Sequence, residues 1–192
     1  MKRWVSVFMA AAAAAGASGR AAAQEAACTT VPLKNPALTL TGIYGTAEKH
    51  ARAWKADAVP AKIGNTTMGP LQPDGSSTAW ALDFYSAQAD SYVSIDTFGG
   101  TLNCSAYKGS AGRIPDLKAG FFRDGAALYS LAKKHGGDFI AQGYAVEIGI
   151  VAAPGNRHAT WHVAYTDAQG SDGGLAILVD GNTGAVEKVL KR

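Results

Sequence analysis

Cysteine is nearly absent from this chain, and neither cysteine present has the surroundings of a reactive or metal-binding thiol. Cys28 and Cys104 are the two cysteines among 192 residues, and neither has a CxxC partner or an adjacent histidine. A catalytic or metal-binding role is therefore disfavoured. In an exported chain, such a pair favours one disulfide bond. It would close a loop of about 77 residues, which the chain-entropy treatment values at roughly 4 kcal/mol.

The chain also lacks an apolar run long enough to cross a membrane comfortably. Two basic residues precede an apolar, alanine-rich run at residues 4–15, and small residues follow at 21–23. This arrangement is typical of a secretory signal peptide and too short for a retained span. We expect residues 1–23 to be removed by cleavage after Ala23, with Gln24 as the alternative. The mature protein is then periplasmic or secreted, with no stable membrane anchor.

An excess of charge of either sign is absent from the predicted mature chain. The precursor has 18 basic and 15 acidic residues, and three of the bases (Lys2, Arg3 and Arg20) belong to the predicted signal. Removing them leaves 15 bases against 15 acids, so the net charge is zero with histidine neutral. This balance gives no support for binding to nucleic acid or to an anionic membrane surface.

Motifs of a catalytic or metal centre are missing as well. The serines lack a nucleophile-elbow context, and loop 167–174 lacks the alternating ligands and glutamate of a calcium loop. His158 and His162 on one strand would lie about 13 Å apart, too far to share one metal ion. His50 and His135 both lie on the inward sides of the predicted helices, where partial packing under the helix is favoured over a metal or proton role. We therefore expect a protein that is not an enzyme and holds no metal or cofactor.

The clearest structural pattern is a predicted hairpin at residues 175–190. Two runs rich in β-branched residues flank a turn in which an aspartate can accept amide hydrogen bonds and glycine can adopt positive φ. A similar pattern occurs 84 positions earlier, in residues 92–104. The residues predicted to shape the two turns are Asp96, Gly100, Asp180, Thr183 and Gly184.

A second correspondence, at 81 positions, indicates an internal repeat. Trp80 and Trp161 are 81 residues apart, as are the inward positions of two predicted helices, one capped by Thr46 and one ended by Gly136 and Gly137. The pattern predicts an α+β fold of two tandem units, each with one helix packed on a three- to four-stranded antiparallel meander sheet. The predicted strands are 58–63, 78–86, 92–107, 144–153 and 158–166, with the hairpin at 175–190. The expected organisation is a tail at 24–45, a first unit at 46–107, a linker at 108–122 and a second unit at 123–192.

Two short motifs in the second half carry a resemblance to a known family. They are Trp161-His-Val-Ala-Tyr165 and Leu178-Val-Asp180-Gly-Asn-Thr183-Gly184-Ala-Val186. Over roughly 65 residues this half resembles a PepSY-type domain, whose closing hairpin has an aspartate, a Thr-Gly pair and a valine. The first half departs from this pattern because Phe98-Gly99-Gly100 replaces the Thr-Gly turn.

The resemblance implies a module that binds proteins without catalysing a reaction. PepSY-like domains occur in propeptides of thermolysin-type proteases and in many secreted or envelope proteins. The expected partner is therefore a secreted or envelope protein, such as a protease or another enzyme that the module restrains. The alternative is a periplasmic small-ligand-binding protein with a pocket between helix and sheet near Trp80 and Trp161, although core packing is commoner for such aromatic residues.

Overall fold

The computed structural model describes residues 30–152, 155 and 157–191. The predicted signal peptide and Cys28 lie outside the described residues. Two α-helices are present in this part, α1 (Leu40–Trp54) and α2 (Gly125–Ala141). No helix of the described part is long and apolar enough to cross a membrane. The strands are β1 (Val31–Pro32), β2 (Leu38–Thr39), β3 (Val59–Asn65), β4 (Ser76–Ser77), β5 (Trp80–Ser86), β6 (Ser91–Phe98), β7 (Thr101–Tyr107), β8 (Ala145–Val151), β9 (Thr160–Thr166), β10 (Asp172–Asp180) and β11 (Val186–Lys191).

Nine of these strands form one antiparallel sheet. Its strand order is β1-β7-β6-β5-β3-β8-β9-β10-β11, and β2 pairs separately with β4. On each side of the β3–β8 pair, strands that follow one another in the chain also pair with one another. They are β5-β6-β7 on one side and β8-β9-β10-β11 on the other. The meander predicted from sequence is therefore present, but within a single sheet.

The prediction of two tandem helix-plus-sheet units is wrong. Strand β3 pairs with β5 on one side and with β8 on the other, so strands from both halves of the chain share one hydrogen-bonded ladder. In this seam Lys62 lies opposite Val151, Ile63 opposite Ile150 and Gly64 opposite Gly149. Separate sheets would leave the backbone groups of β3 and β8 unpaired on two edges, and joining the sheets satisfies them.

Both helices pack on the same face of this sheet. Residues directly opposite each other in an antiparallel ladder project to the same face. Ile63 lies opposite Leu82 and Ile150, and all three are buried. Helix α1 contacts β5 and β6, α2 contacts β8, β9 and β10, and one hydrophobic cluster includes residues from both halves. The other face of the sheet is therefore left without a helix from the described chain.

Helix α1 begins six residues before the predicted start at Thr46. Thr39 caps it, because its Oγ1 accepts a hydrogen bond from the Gly42 amide at 3.2 Å. Thr46 instead lies inside the helix, where its hydroxyl donates to the Gly42 carbonyl at 3.1 Å. The buried side of α1 has residues spaced by three or four positions, which explains its packing on the sheet. These residues are Leu40, Ile43, Tyr44, Ala47 and Ala51.

Helix α2 continues through the two glycines that were predicted to end it. Asp124 caps its start by accepting from the Ala127 amide at 2.9 Å, and the helix runs to Ala141 with a kink at Gly136 (φ −137°, ψ 35°). A Cβ at Gly136 would collide with the ring of Tyr165. The Tyr165 hydroxyl donates to the Ala132 carbonyl at 2.6 Å, so this glycine permits close contact between α2 and β9.

The segment predicted as a linker, residues 108–122, contributes to the core. Ile114 and Phe121 are buried, and the Ile114 amide donates to the Pro60 carbonyl at 2.9 Å. The Phe122 amide donates to the Gly181 carbonyl at 2.9 Å. The segment is therefore packed along the sheet and helix α1.

Candidate binding surface

The helix-free face of the sheet carries the polar and aromatic groups of the central strands. We call this surface the open face. Lys62 on β3 lies opposite Asp83 on β5, and Gly149 on β8 lies opposite His162 on β9, which places all four on this face. The central residues of the open face are Lys62, Gly64, Asp83, Tyr85, Tyr92, Asp96, Tyr107, Glu147, Gly149, His162 and Ala164.

Two carboxylates lie close together at diagonal positions on β5 and β6. Asp83 is opposite Ser94, and Asp96 is two residues further along β6. Burial raises the pKa of Asp96, and the negative charge of Asp83 raises it further. The Ser94 hydroxyl donates to Asp96 at 3.2 Å, and this bond and the charge of Lys62 oppose the rise. One carboxyl group of the open face is thus partly desolvated and repelled by a neighbour.

A row of three tyrosines borders this carboxylate pair. Tyr85, Tyr92 and Tyr107 occupy opposite positions on β5, β6 and β7, with ring centroids 5.0 and 5.1 Å apart. Tyr107 remains 41% exposed. Burial of its hydroxyl raises the pKa of Tyr107, and the negative charge of the neighbouring Asp83 raises it further. Exposed tyrosine next to charged groups is typical of protein-binding surfaces.

A depression of about 330 Å³ lies on the open face at the seam between β3 and β8. We call it the glycine trough, because Gly64 and Gly149 face each other there and leave the space of two side chains empty. Gly64 has to be glycine, because a Cβ would lie 2.7 Å from the Ile148 carbonyl oxygen. Gly149 has room, since the nearest atom to a Cβ would be 4.0 Å away.

The wall of the trough contains a carboxylate oxygen without a partner. Glu147 lies on β8 opposite Ala164, and its Oε1 is shielded from solvent with no hydrogen-bond partner among the described residues. Buried polar atoms are usually hydrogen-bonded, so an exception is informative. Lys62 and His162 also line the trough.

The two tryptophans are core residues, which was the favoured interpretation, and they do not line the pocket of the alternative interpretation. Trp80 is 1% exposed and Trp161 is fully buried. The Trp80 indole N–H donates to the Leu38 carbonyl at 2.8 Å, and that of Trp161 donates to the Phe122 carbonyl at 3.0 Å. Each tryptophan thereby holds the chain just before a helix. The clefts described in this section are lined by other residues.

The turn between β10 and β11 is closed by Asp180. Its Oδ1 accepts hydrogen bonds from the Asn182 amide at 3.0 Å and from the Thr183 amide and hydroxyl at 2.7 and 2.8 Å. The Thr183 hydroxyl and amide are the main causes of a lowered pKa for Asp180. Gly184 has a φ of 77°, and a Cβ there would also collide with the ring of Phe122.

The side chain of Asn182 attaches this turn to the segment before α2. Its oxygen accepts from the Lys118 amide at 2.9 Å, and its nitrogen donates to the Asp116 carbonyl at 2.9 Å. Both bonds are to backbone groups, so they fix the path of the segment. The C-terminal hairpin therefore positions a part of the chain more than 60 residues away.

Asp96 does not lie in a turn, although its correspondence with Asp180 predicted that it would. It is within β6, paired with Ala81 and Asn103. The β6–β7 turn is made by Gly99 and Gly100, with φ values of 59° and 77°. Two consecutive glycines with positive φ form a short turn without help from an aspartate.

Cys104 lies half-buried on β7, and its predicted partner Cys28 lies outside the described residues. The pairing of β1 with β7 brings Thr30 beside Asn103, and the Thr30 hydroxyl donates to Asn103 Oδ1 at 3.3 Å. Thr30, two residues after Cys28 in the chain, therefore lies beside Asn103, the residue that precedes Cys104. The disulfide stays a prediction.

The histidines lie apart from one another. His50 is half-buried on α1, whereas His135 is exposed on α2, so its predicted inward position is wrong. His158 Nε2 lies 3.0 Å from the Glu187 carboxylate. Within the described ranges no three His, Cys, Asp or Glu residues are close enough to hold a metal ion.

A second cleft, of about 340 Å³, lies between α1 and residues 113–121. The Tyr44 and Phe121 rings form its apolar part, with centroids 5.0 Å apart. Burial, and to a lesser extent the charge of Glu48, raise the pKa of Tyr44 to about 12. Arg52, which also lines the cleft, is paired with Glu48 at 3.2 Å.

Sequence reasoning missed the residues that make the open face distinctive. Alternation on β5 did place Asp83 on the face opposite to buried Leu82 and Phe84, but it did not mark Asp83 as part of a binding surface. The glycine trough had no local signal, because Gly64 and Gly149 are 85 positions apart and meet only through the β3–β8 seam.

Comparison with known proteins gives no match to a family model, to a curated protein or to a solved structure. The likeness to PepSY-type domains therefore rests on the two motifs in the second half of the sequence.

Proposed function

We propose that this chain is an exported, non-catalytic binding protein that receives another protein on its open face. The observation that carries the proposal is the helix-free face of a nine-stranded sheet, on which partly exposed Tyr107 borders the Asp83 and Asp96 pair. Tyrosine supplies contact area at low cost in side-chain entropy, and a partly desolvated carboxylate favours a cationic partner.

The size of the open face fits this role. The eight longer strands are mostly seven residues long; at a spacing of about 4.8 Å and a rise of about 3.4 Å per residue they span roughly 40 by 24 Å. This is about 950 Å², somewhat more than the roughly 800 Å² that each partner contributes to a standard protein–protein interface. The sheet can thus serve as an interface without any rearrangement of the helices.

The charge of the open face indicates the chemistry of the partner. At the open-face positions of β3, β5, β6 and β8, the acids are Asp83, Asp96 and Glu147, and the base is Lys62. Three acids against one base leave two negative charges, although the predicted mature chain is neutral. A partner with a basic surface would be attracted to this face and oriented on it. The PepSY resemblance suggests a secreted protease, or another secreted enzyme, as the first partner to test.

The proposal can be tested by capture followed by affinity measurements. The mature protein is used to capture partners from periplasm or culture fluid, and the affinity of a stoichiometric protein partner is then measured. Tyr107→Ala should weaken binding by at least about tenfold, the effect of losing a central aromatic contact. Lys134→Ala, on the exposed side of α2, is the matched control and should bind like wild type. Equal affinities for all three proteins would overturn the assignment of the open face.

A second candidate function is binding of a small ligand in the cleft between α1 and residues 113–121. Its volume of about 340 Å³ is within the usual range of ligand sites. Native mass spectrometry of the purified protein distinguishes the two functions. A bound small molecule that is lost in Tyr44→Ala, with no protein partner captured, would favour this candidate over the first.

A further inference from the structure

The glycine trough combines an apolar floor with one shielded carboxylate oxygen. Gly64, Gly149 and Ala164 leave the floor without large side chains, and Val151 forms part of its border. Glu147 Oε1 is inaccessible to solvent and has no hydrogen-bond partner among the described residues. An ionised oxygen in such surroundings is stabilised when a donor, above all a cationic one, enters the site.

The basic residue that lines the trough lies beside acids of the neighbouring strands. Lys62 lies directly opposite Asp83, and its charge lowers the pKa of Asp96. On β9, the strand that flanks β8 on the side away from β3, the residue opposite Glu147 is Ala164. No basic side chain of the described residues pairs with the shielded oxygen of Glu147, so its carboxylate can accept a cation from outside the chain.

We propose that the glycine trough receives the side chain of a single lysine from the protein partner. The lysine ammonium donates to the Glu147 carboxylate, and its methylene groups lie over Gly64, Gly149 and Ala164. Lysine fits better than arginine, because one oxygen of the Glu147 carboxylate is shielded and a compact ammonium needs only a single accessible acceptor. A guanidinium needs two acceptors side by side to use its fork. This inference rests on the proposed function, since it assigns the occupant to a protein partner.

The test uses the purified mature protein and n-butylammonium, which is the lysine side chain without its backbone. Amide chemical shifts are followed by NMR during titration, with n-butanol as the uncharged equivalent and n-propylguanidinium as the arginine equivalent. We expect saturable shifts at Gly64, Gly149 and Ala164, with a dissociation constant on the order of millimolar for so small a probe. n-Butanol should bind at least about tenfold more weakly. Equal binding of n-butanol, or tighter binding of n-propylguanidinium, would overturn the proposal.

Three variants show whether the cation occupies the trough. Glu147→Gln removes the charge and should weaken n-butylammonium binding by at least about tenfold. Its melting temperature should be no lower than that of wild type, because an unpaired shielded charge is lost. Gly149→Val fills the trough from a position where a Cβ has room, and should abolish binding. Asp138→Asn, on the exposed side of α2, is the control and should bind like wild type. Unchanged binding in Glu147→Gln would overturn the proposal.

The outcome can be separated from that of the proposed function. If the captured partner binds Glu147→Gln as well as wild type but loses affinity for Tyr107→Ala, the lysine inference fails and the open-face proposal stands. If n-butylammonium binds as expected but no protein partner depends on Tyr107, the proposed function fails. The trough then remains a site for a primary ammonium group.

Discussion

Replacement of Gly64 by alanine tests whether β3 and β8 really form a continuous seam. The Cβ of alanine would lie 2.7 Å from the Ile148 carbonyl oxygen and 3.2 Å from the Gly149 Cα. Both are backbone atoms of β8, so relief requires the two strands to move apart. Gly149→Ala is the matched control on the facing strand, because its Cβ would have no atom nearer than 4.0 Å.

The two substitutions should change stability in opposite directions. Overpacking against a backbone that cannot yield costs about 1–3 kcal/mol. Replacing glycine by alanine also restricts the unfolded chain, which returns about 0.4–1 kcal/mol where the native conformation is compatible. Gly64→Ala should therefore lower the free energy of unfolding by about 1–2 kcal/mol, and Gly149→Ala should raise it slightly. For a protein of this length these changes correspond to a fall of about 2–8 °C and a rise of about 1–4 °C in Tm.

Thermal and urea unfolding of wild type and both variants measure these differences. Hydrogen exchange adds a local readout, since the amides of β3 and β8 should lose protection in Gly64→Ala and keep it in Gly149→Ala. If the two halves had separate sheets, Gly64 would pair with β5 alone and have no strand on its other side, and the two variants would behave alike. Equal melting temperatures for Gly64→Ala and Gly149→Ala would refute the seam.

Three further predictions concern single groups. Asp180→Ala should cost about 1 kcal/mol in urea unfolding at pH 7, the low end for charge-assisted bonds because the turn is partly exposed, and Asp180→Asn should cost less. Because the pKa of Asp180 is lowered in the folded protein, its carboxylate stabilises the fold above its ordinary pKa of 3.8. This stabilisation is lost as pH falls through the lower folded pKa, so thermal melts near pH 2 should show a smaller difference between Asp180→Ala and wild type. The pKa of Asp96 is raised in the folded protein, so its contribution to the free energy of unfolding declines as pH rises from 3.8 through the folded pKa. Asp96→Asn should therefore have a higher melting temperature than wild type at pH 7 but not at pH 3. The intact mass of the mature protein should be two hydrogens below the reduced value if Cys28 and Cys104 are bonded, whereas rapid labelling of two free thiols would contradict the disulfide.

Local patterns in the sequence predicted most of the individual strands. The alternation of Trp80, Leu82 and Phe84 with smaller or polar residues marked β5, and the structure buries all three on the helix-covered face. The C-terminal hairpin was predicted at 175–190, and β10 and β11 form it around the Asp180 turn. These features depend on near neighbours in the chain, which is why periodicity and turn chemistry could reveal them.

Helix boundaries depended on contacts that are distant in sequence. Thr46 was a reasonable cap, but Leu40 and Ile43 are buried against the sheet, and burial extends α1 back to Thr39. In the same way, Gly136 was a reasonable helix end. Its contact with Tyr165 on β9 instead makes glycine necessary within α2. Tertiary packing outweighed local propensity at both positions.

The joining of the two halves could not be predicted from either half alone. Each half reads as a helix followed by strands, and such a unit can either stand alone or share an edge with its neighbour. The choice depends on whether β3 and β8 fit together, and Gly64 allows this because a Cβ there would meet the backbone of β8. The spacing of 81 residues that predicted a repeat contained no information about this contact.

The seam also decides what the protein can bind. A sheet of four strands of this length would present roughly 450 Å², little more than half of what a standard interface needs from one partner. The glycine trough takes Gly64 from one half and both Gly149 and Glu147 from the other, so it exists only when the halves are joined. The candidate interface and its proposed lysine site therefore both arise from the pairing of β3 with β8. A variant that opens the seam should lose binding even where each half keeps its secondary structure.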